Sequence, residues 1–287
     1  MKVAVNFSGQ FRFYDKPVQS IIQNLLDPYD CDVFCYFSNN ISNNYDDVSD
    51  QEIIEKTNKK LGSKLKKLQI SGKEHNPTGD GSFASDFLKT IELYGNVHPR
   101  NRKMELCDNL RKQYEKDNNF KYDIVVNLRP DFILQKPFKF KENIEDKTVY
   151  AIGKEFSNKE KGYEKIPRVF DGFWYANSQT FSKAVTNMIG WFPSMNGIKE
   201  DPKEIFEKLR LKYFIFTPED CLLYNWIVKD KLKVELFDLP IVYRHPDGRI
   251  VSYENFQPIH DNIETNLPRG FVLPEKYCID DLTHLCR

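Results

Sequence analysis

The chain carries no excess of either charge: 42 Lys and Arg stand against 42 Asp and Glu in 287 residues. No global field draws it toward nucleic acid or anionic lipid, so any anion binding must be local. Also missing is an apolar run near the length that spans a bilayer; no transmembrane segment is expected, and any membrane contact is peripheral. The six cysteines, at 31, 35, 107, 221, 278 and 286, show neither a C-x-x-C pair nor the tight spacing of a disulfide scaffold. With no signal peptide at the start, the expectation is a reducing compartment and a cytoplasmic protein. Cys31 and Cys35 read either as a redox pair or as core thiols, and the place of Cys35 inside the apolar run from Cys31 to Phe37 favours core thiols. None of His75, His98, His245, His260 and His284 has H-E-x-x-H spacing, and no G-x-S-x-G elbow is present, so the zinc-protease and serine-hydrolase templates fail. The P-loop pattern and G-x-G-x-x-G are absent too.

What is present is an alternation of strand and helix signals over the first half. Lys2 to Phe7 reads as a strand broken at Ser8-Gly9-Gln10, and Val18 to Leu26 has helical spacing. Cys31 to Phe37 is a second apolar strand, so the opening is β-α-β with parallel strands. Glu52 to Leu68 reads as one helix, with Leu61, Leu65 and Leu68 on one face and Lys59, Lys60, Lys64, Lys66 and Lys67 opposite. Those lysines either bind phosphate or are simply solvated. Ser71 to Ser82 reads as a loop able to act as a lid. A helix over Arg102 to Lys116 feeds the strand Tyr122 to Leu128. Beyond it the alternation weakens: short strands are expected at Thr148 to Ile152 and Gly172 to Ala176, a helix at Ser178 to Ile189, and a capped helix from Thr217 to Lys229. Final strands are expected at Val234 to Leu236 and Ile241 to Tyr243. No repeat and no interdomain linker interrupts the chain. The expectation is a single α/β domain with a mixed, mainly parallel sheet flanked by helices, residues 1–135 forming its α/β half and 136–287 a mixed extension of the same sheet.

Four places concentrate reactive groups. In Ser8-Gly9-Gln10-Phe11-Arg12 a glycine after a strand lets backbone approach a phosphate or nucleobase, with Arg12 as a donor; the same glycine also serves a plain turn. In Arg129-Pro130-Asp131 the proline removes a ladder donor, so the strand stops and Asp131 emerges at its C-terminal end. Ligands of open α/β sheets bind at that edge, and a carboxylate there suits a divalent metal carrying phosphates; Arg129 and Asp131 also fit a turn salt bridge. Asp171 and Gly172 precede the aromatic strand Phe173-Trp174-Tyr175, which suits sugar recognition or a core. Glu219 and Asp220 sit at a helix start, where capping accounts for both. His245 and His260 either reach a metal or stay as hydrogen-bonded surface histidines.

In this order, Val5-Asn6-Phe7-Ser8-Gly9-Gln10-Phe11-Arg12, Asp32-Val33-Phe34, Tyr122 to Asp131, Asp171-Gly172-Phe173 and Pro218-Glu219 resemble the GT-A-fold glycosyltransferase-like proteins of large DNA viruses and bacterial surface-polysaccharide clusters. The resemblance covers most of residues 1–245. It implies a GT-A-like (Rossmann-like) fold and transfer of a hexose or pentose from a nucleotide-diphosphate sugar to a glycan or glycoprotein acceptor. For a viral member the setting would be the host cytoplasm. It also implies that Ser8, Gly9, Gln10, Arg12 and Arg129 hold the donor, and that a D-x-D acid holds Mn2+ or Mg2+ on the diphosphate. Arg129 replaces the first acid of D-x-D, leaving Asp131 as the motif's sole carboxylate. Either Arg129 neutralises the diphosphate, or Asp131 ligates metal with help from a late histidine such as His260. Glu219 and Asp171 are the candidates for the base that takes the acceptor proton. The rival expectation is a non-catalytic carbohydrate or nucleotide-sugar binding protein on the same fold.

Overall fold

The structure, a computed structural model, describes residues 1–39, 48–71, 99–158, 163–186, 222, 225–239, 241–244 and 250–253. Strand β1 (Val3–Gln10) alternates Val3, Val5 and Phe7 toward one face and Ala4 toward the other, so the strand is buried on both sides. Helix α1 (Asp15–Ile21) and a wider turn (Ile22–Leu26) bury Val18, Ile21, Leu25 and Leu26 on the first face and lead to β2 (Asp32–Ser38). Helix α2 (Asp50–Leu61), capped by the Ser49 side chain, covers the same face and leads to β3 (Leu65–Ser71). Helix α3 (Pro99–Asp117) crosses the second face with Met104 and Cys107 and returns the chain to β4 (Ile124–Leu128).

β2 and β4 flank β1 and both run parallel to it, and β3 extends the parallel set beyond β2. β5 (Thr148–Asn158), β6 (Tyr163–Ala176) and β7 (Lys233–Phe237) complete a seven-stranded sheet of order β3-β2-β1-β4-β6-β5-β7, in which β6 alone runs against its neighbours. Because β4 pairs with β6, residues before and after 135 share one sheet. Helix α4 (Ser178–Val185), capped by Asn177, lies on the second face with Trp226; β8 (Ile241–Arg244) and β9 (Ile250–Tyr253) form a separate hairpin pair. No helix among the described residues is long and apolar enough to cross a membrane.

The helix expected over Glu52 to Leu68 ends at Leu61. Gly62 takes φ +53, a positive angle that glycine accommodates, and the chain then enters β3. Leu65 and Leu68 still pack on one core because Val33 opposes Leu65 while Phe34 opposes Lys67, so Lys66 is an extra residue. This bulge gives a strand the three-residue spacing of a helix. β6 begins at Tyr163 rather than Gly172, its pairing with β5 running through Pro167 with shifts of register. Helix α4 stops at Val185 rather than Ile189. The capped helix start at Thr217 and the lid expected over Ser71 to Ser82, apart from Ser71 in β3, lie outside the described residues. Cys31, Cys35 and Cys107 are buried free thiols, and burial pushes Cys31 up to about 12 and raises the other two, as inert core thiols require.

A buried ion cluster locks α3 to α4. Arg111 donates to Asp108 Oδ1 at 2.8 Å and to Ser178 and Ser182 Oγ at 2.7 Å, and lies 2.6 Å from Glu115 Oε1. Glu115 also accepts from the Tyr122 backbone N–H at 2.8 Å, tying the cluster to the entry of β4. Replacing Arg111 by Met would take the guanidinium from two buried carboxylates, leaving Asp108 with Lys112 Nζ at 3.7 Å and Glu115 with the hydrogen bonds of Ser178 and Tyr122. The expected loss in urea unfolding is about 3–5 kcal/mol, and a loss below about 1 kcal/mol would show the cluster to be dispensable.

Candidate functional site

From β1 the chain builds outward to β2 and β3 under helices of the first face, then crosses by α3 on the second face to β4 on the other side of β1. The crevice between the C-terminal ends of β1 and β4 is therefore the topological switch point, the place where open α/β sheets bind ligands. Register puts Phe7 opposite Leu128, so the end of β1 at residues 8–10, still paired with β2, and the segment 11–12 that follows lie beside residues 129–131 as β4 ends.

At the end of β1, Gly9 has φ +125 although nothing lies within 4 Å of where a Cβ would stand, so the backbone angle and not space calls for glycine. Two tight turns follow, Arg12 N to Gln10 O at 2.8 Å and Tyr14 N to Arg12 O at 3.0 Å. Phe11 and Phe13, stacked with centroids 5.8 Å apart, turn into the core against Phe37. The residue between them turns outward. Arg12 Nη2 donates to Gln10 Oε1 at 2.6 Å, and Nη1 donates to Asp131 Oδ2 at 3.2 Å.

At the end of β4, Arg129 N donates to Gly172 O at 2.8 Å. Its guanidinium meets Asp131 side-on, Nε to Oδ1 at 2.8 Å and Nη2 to Oδ2 at 2.6 Å. A Cβ on Gly172 would overlap the Phe170 ring and lie 2.9 Å from Arg129 Cδ, so this glycine makes room for the arginine stem. Arg129 Cζ stands 6.0 Å from the Phe170 centroid. Burial pushes the Asp131 carboxyl up, but the charge and hydrogen bonds of Arg129, joined by those of Arg12, outweigh it and hold the group below the ordinary carboxylate range. Asp131 is an ionised acid buried beneath two guanidiniums.

A divalent cation needs carboxylate oxygens directed at it. Both oxygens of Asp131 accept guanidinium N–H groups, and the described residues contain no cluster of three or more His, Cys, Asp or Glu able to hold a metal. The described residues therefore do not fit the implied metal site. His260 lies outside them.

The switch point brings together Gly9, Gln10, Arg12, Arg129 and Asp131. Ser8, one residue earlier, is buried opposite Tyr36. Asp171 is fully buried, its carboxylate against the Arg100 guanidinium and its carbonyl accepting from Arg100 Nη2 and Asn127 Nδ2, each at 3.0 Å. In this arrangement Asp171 braces β6 against α3. Glu219 lies outside the described residues. The lysine-rich segment is spread among partners: Lys60 with Asp15, Lys64 with Asp27 and Asp30, and Lys66 with Asp32.

Sequence reasoning missed Arg100, Lys103 and Asn127. Lys103 is buried at the start of α3 and donates to Ser38 Oγ at 2.9 Å, at the end of β2. A usable signal existed, because Arg100, Arg102 and Lys103 crowd a helix start that has no acid in its first turn, against the usual dipole preference. Asn127 was visible as the one polar residue in Ile-Val-Val-Asn-Leu, matching Asn6 in Val-Ala-Val-Asn-Phe, and the two are register partners.

Gly9→Ala should cost roughly 1–3 kcal/mol in thermal or urea unfolding through backbone strain alone, and an unchanged stability would contradict the positive φ. Because the Asp131 carboxyl lies lower in the folded state than its unfolded value of about 3.9, its contribution is present at neutral pH and fades as pH falls through the folded value. The stability gap between the wild type and Asp131→Asn should narrow on acidification. A gap constant from pH 7 to pH 3 would contradict the ion pairing. The chain matches no protein-family model and no curated protein sequence.

Proposed function

We propose that this protein is a GT-A-like glycosyltransferase that moves one sugar from a nucleotide-diphosphate donor to a glycan or glycoprotein acceptor. The observation that carries the reading is the convergence of Gln10, Arg12, Arg129 and Asp131 at the switch point of a mostly parallel sheet. In sugar transfer the acceptor oxygen bonds to the anomeric carbon, the bond to phosphate breaks, and negative charge collects on the departing diphosphate. Guanidinium groups fixed at that position stabilise the charge as it develops. The acceptor hydroxyl gives up its proton to a carboxylate base in an inverting reaction. Glu219 is the base in this reading, since Asp171 is buried against Arg100.

That burial of Asp171 also favours a second reading, a nucleotide-sugar or carbohydrate binding protein without turnover. Incubation with a panel of nucleotide sugars and oligosaccharide acceptors, reading nucleoside diphosphate release by chromatography, separates the two. Transfer from one donor, slowed about a hundredfold or more by Arg129→Ala, is the expected result. Binding of a donor without release would favour the second reading, and neither binding nor release would overturn both.

A further inference from the structure

The described residues offer a metal no ligand set, and the same geometry gives Asp131 a different task. Its side chain is 1% exposed, whereas the side chains of Arg12 and Arg129 are 25% and 19% exposed. The surface exposed by this trio thus belongs to the two arginine side chains and not to the Asp131 carboxylate. Both arginines reach the same oxygen, Asp131 Oδ2, at 3.2 and 2.6 Å. Two cations held this close repel each other, and the anion between them is what allows the arrangement.

Each guanidinium is held in orientation. Gln10 Oε1 holds Arg12, and the bidentate bond to Asp131 together with the space left by Gly172 holds Arg129. A guanidinium held in one orientation suits the oxygens of a phosphate group, and two adjacent ones suit two linked phosphates; the Nε–Nη2 edge of Arg129 faces Asp131, so a phosphate would meet its other edge. A divalent cation arriving at the same place would have to overcome the repulsion of both guanidiniums.

We infer that Arg12 and Arg129 form a metal-independent site for the diphosphate of the donor, and that Asp131 is the positioning residue that clamps them side by side. The inference rests on the nucleotide-sugar reading given above, but its anion chemistry can be measured separately. No bond is made or broken in this step; the arginines bind and orient the group that will leave.

The test is calorimetric titration of the full chain with pyrophosphate, and with nucleoside diphosphates, in EDTA and in manganese. Dissociation constants within about twofold between the two buffers are expected. Affinity that falls tenfold or more in EDTA would overturn the inference. Arg12→Lys and Arg129→Lys, which keep the charge and lose the fork, should each weaken pyrophosphate tenfold or more; unchanged binding in both would overturn it as well. Asp131→Asn should weaken pyrophosphate in the wild type and have little further effect once both Arg12 and Arg129 are lysine, because the acid acts through the two arginines. Independent, additive losses would instead mark a general structural role and overturn the positioning claim. Nucleotide binding that requires manganese would leave the transferase standing and remove this inference. Pyrophosphate binding in EDTA without retention of any nucleoside diphosphate or nucleotide sugar would do the reverse. No binding of any probe in either buffer would remove both.

Discussion

The contact between the Asp131 carboxylate and the guanidiniums of Arg12 and Arg129 joins the two strand ends that frame the switch point. The strands beneath are held by register, but their tips carry two cations that would otherwise separate. One buried anion resolves that repulsion. Removing either partner of such a pair leaves an uncompensated charge, a change that costs about 3–5 kcal/mol in comparable buried pairs. Much of the surrounding architecture serves to keep the contact in place. Phe11 and Phe13 anchor the turn that carries Arg12, while Ser20 and Asn24 bind the backbone at Leu134, and the Asn24 carbonyl binds Phe138 N, just beyond Asp131.

A second polar layer lies on the face covered by α3. Arg100, Asn127 and Asp171 tie the helix start and β4 to β6, and Lys103 ties the same helix to the end of β2. Helix α3 thereby spans the C-terminal ends of strands on both sides of β1, and farther along it Arg111 fastens the helix to α4. The switch point is thus set on a frame whose buried charges are each engaged by an opposite charge or a hydroxyl. In the proposed transfer, preorganised charge of this kind would stabilise the leaving diphosphate without reorganisation during reaction.

Much of the frame was legible in the sequence. The short apolar runs Val3 to Phe7 and Cys31 to Phe37, with a helical period between them, pointed to the parallel β-α-β unit, and Pro130 marked the end of β4. Where the reading failed, a local exception misled it. The bulge at Lys66 made a strand mimic a helix, and Pro167 hid the first half of β6 behind a residue that usually ends strands. At the site, Gly9 and Asp131 were visible because each sits at a strand's end. The bond from Arg12 to Asp131 was not, since it joins residues 119 apart through the register of Phe7 with Leu128. The burial of Asp171 was hidden for the same reason, its partner Arg100 standing 71 residues earlier in α3.

The chemistry of the switch point therefore turns on whether an anion meets arginine or metal there. The most direct measurement is a crystal structure of the protein grown with a nucleoside diphosphate and manganese together. The account predicts diphosphate oxygens within hydrogen-bonding distance of both Arg12 and Arg129, with Asp131 still clasped beneath them and no metal on its oxygens. Manganese bonded to Asp131, with Arg12 or Arg129 turned away from the diphosphate, would contradict it.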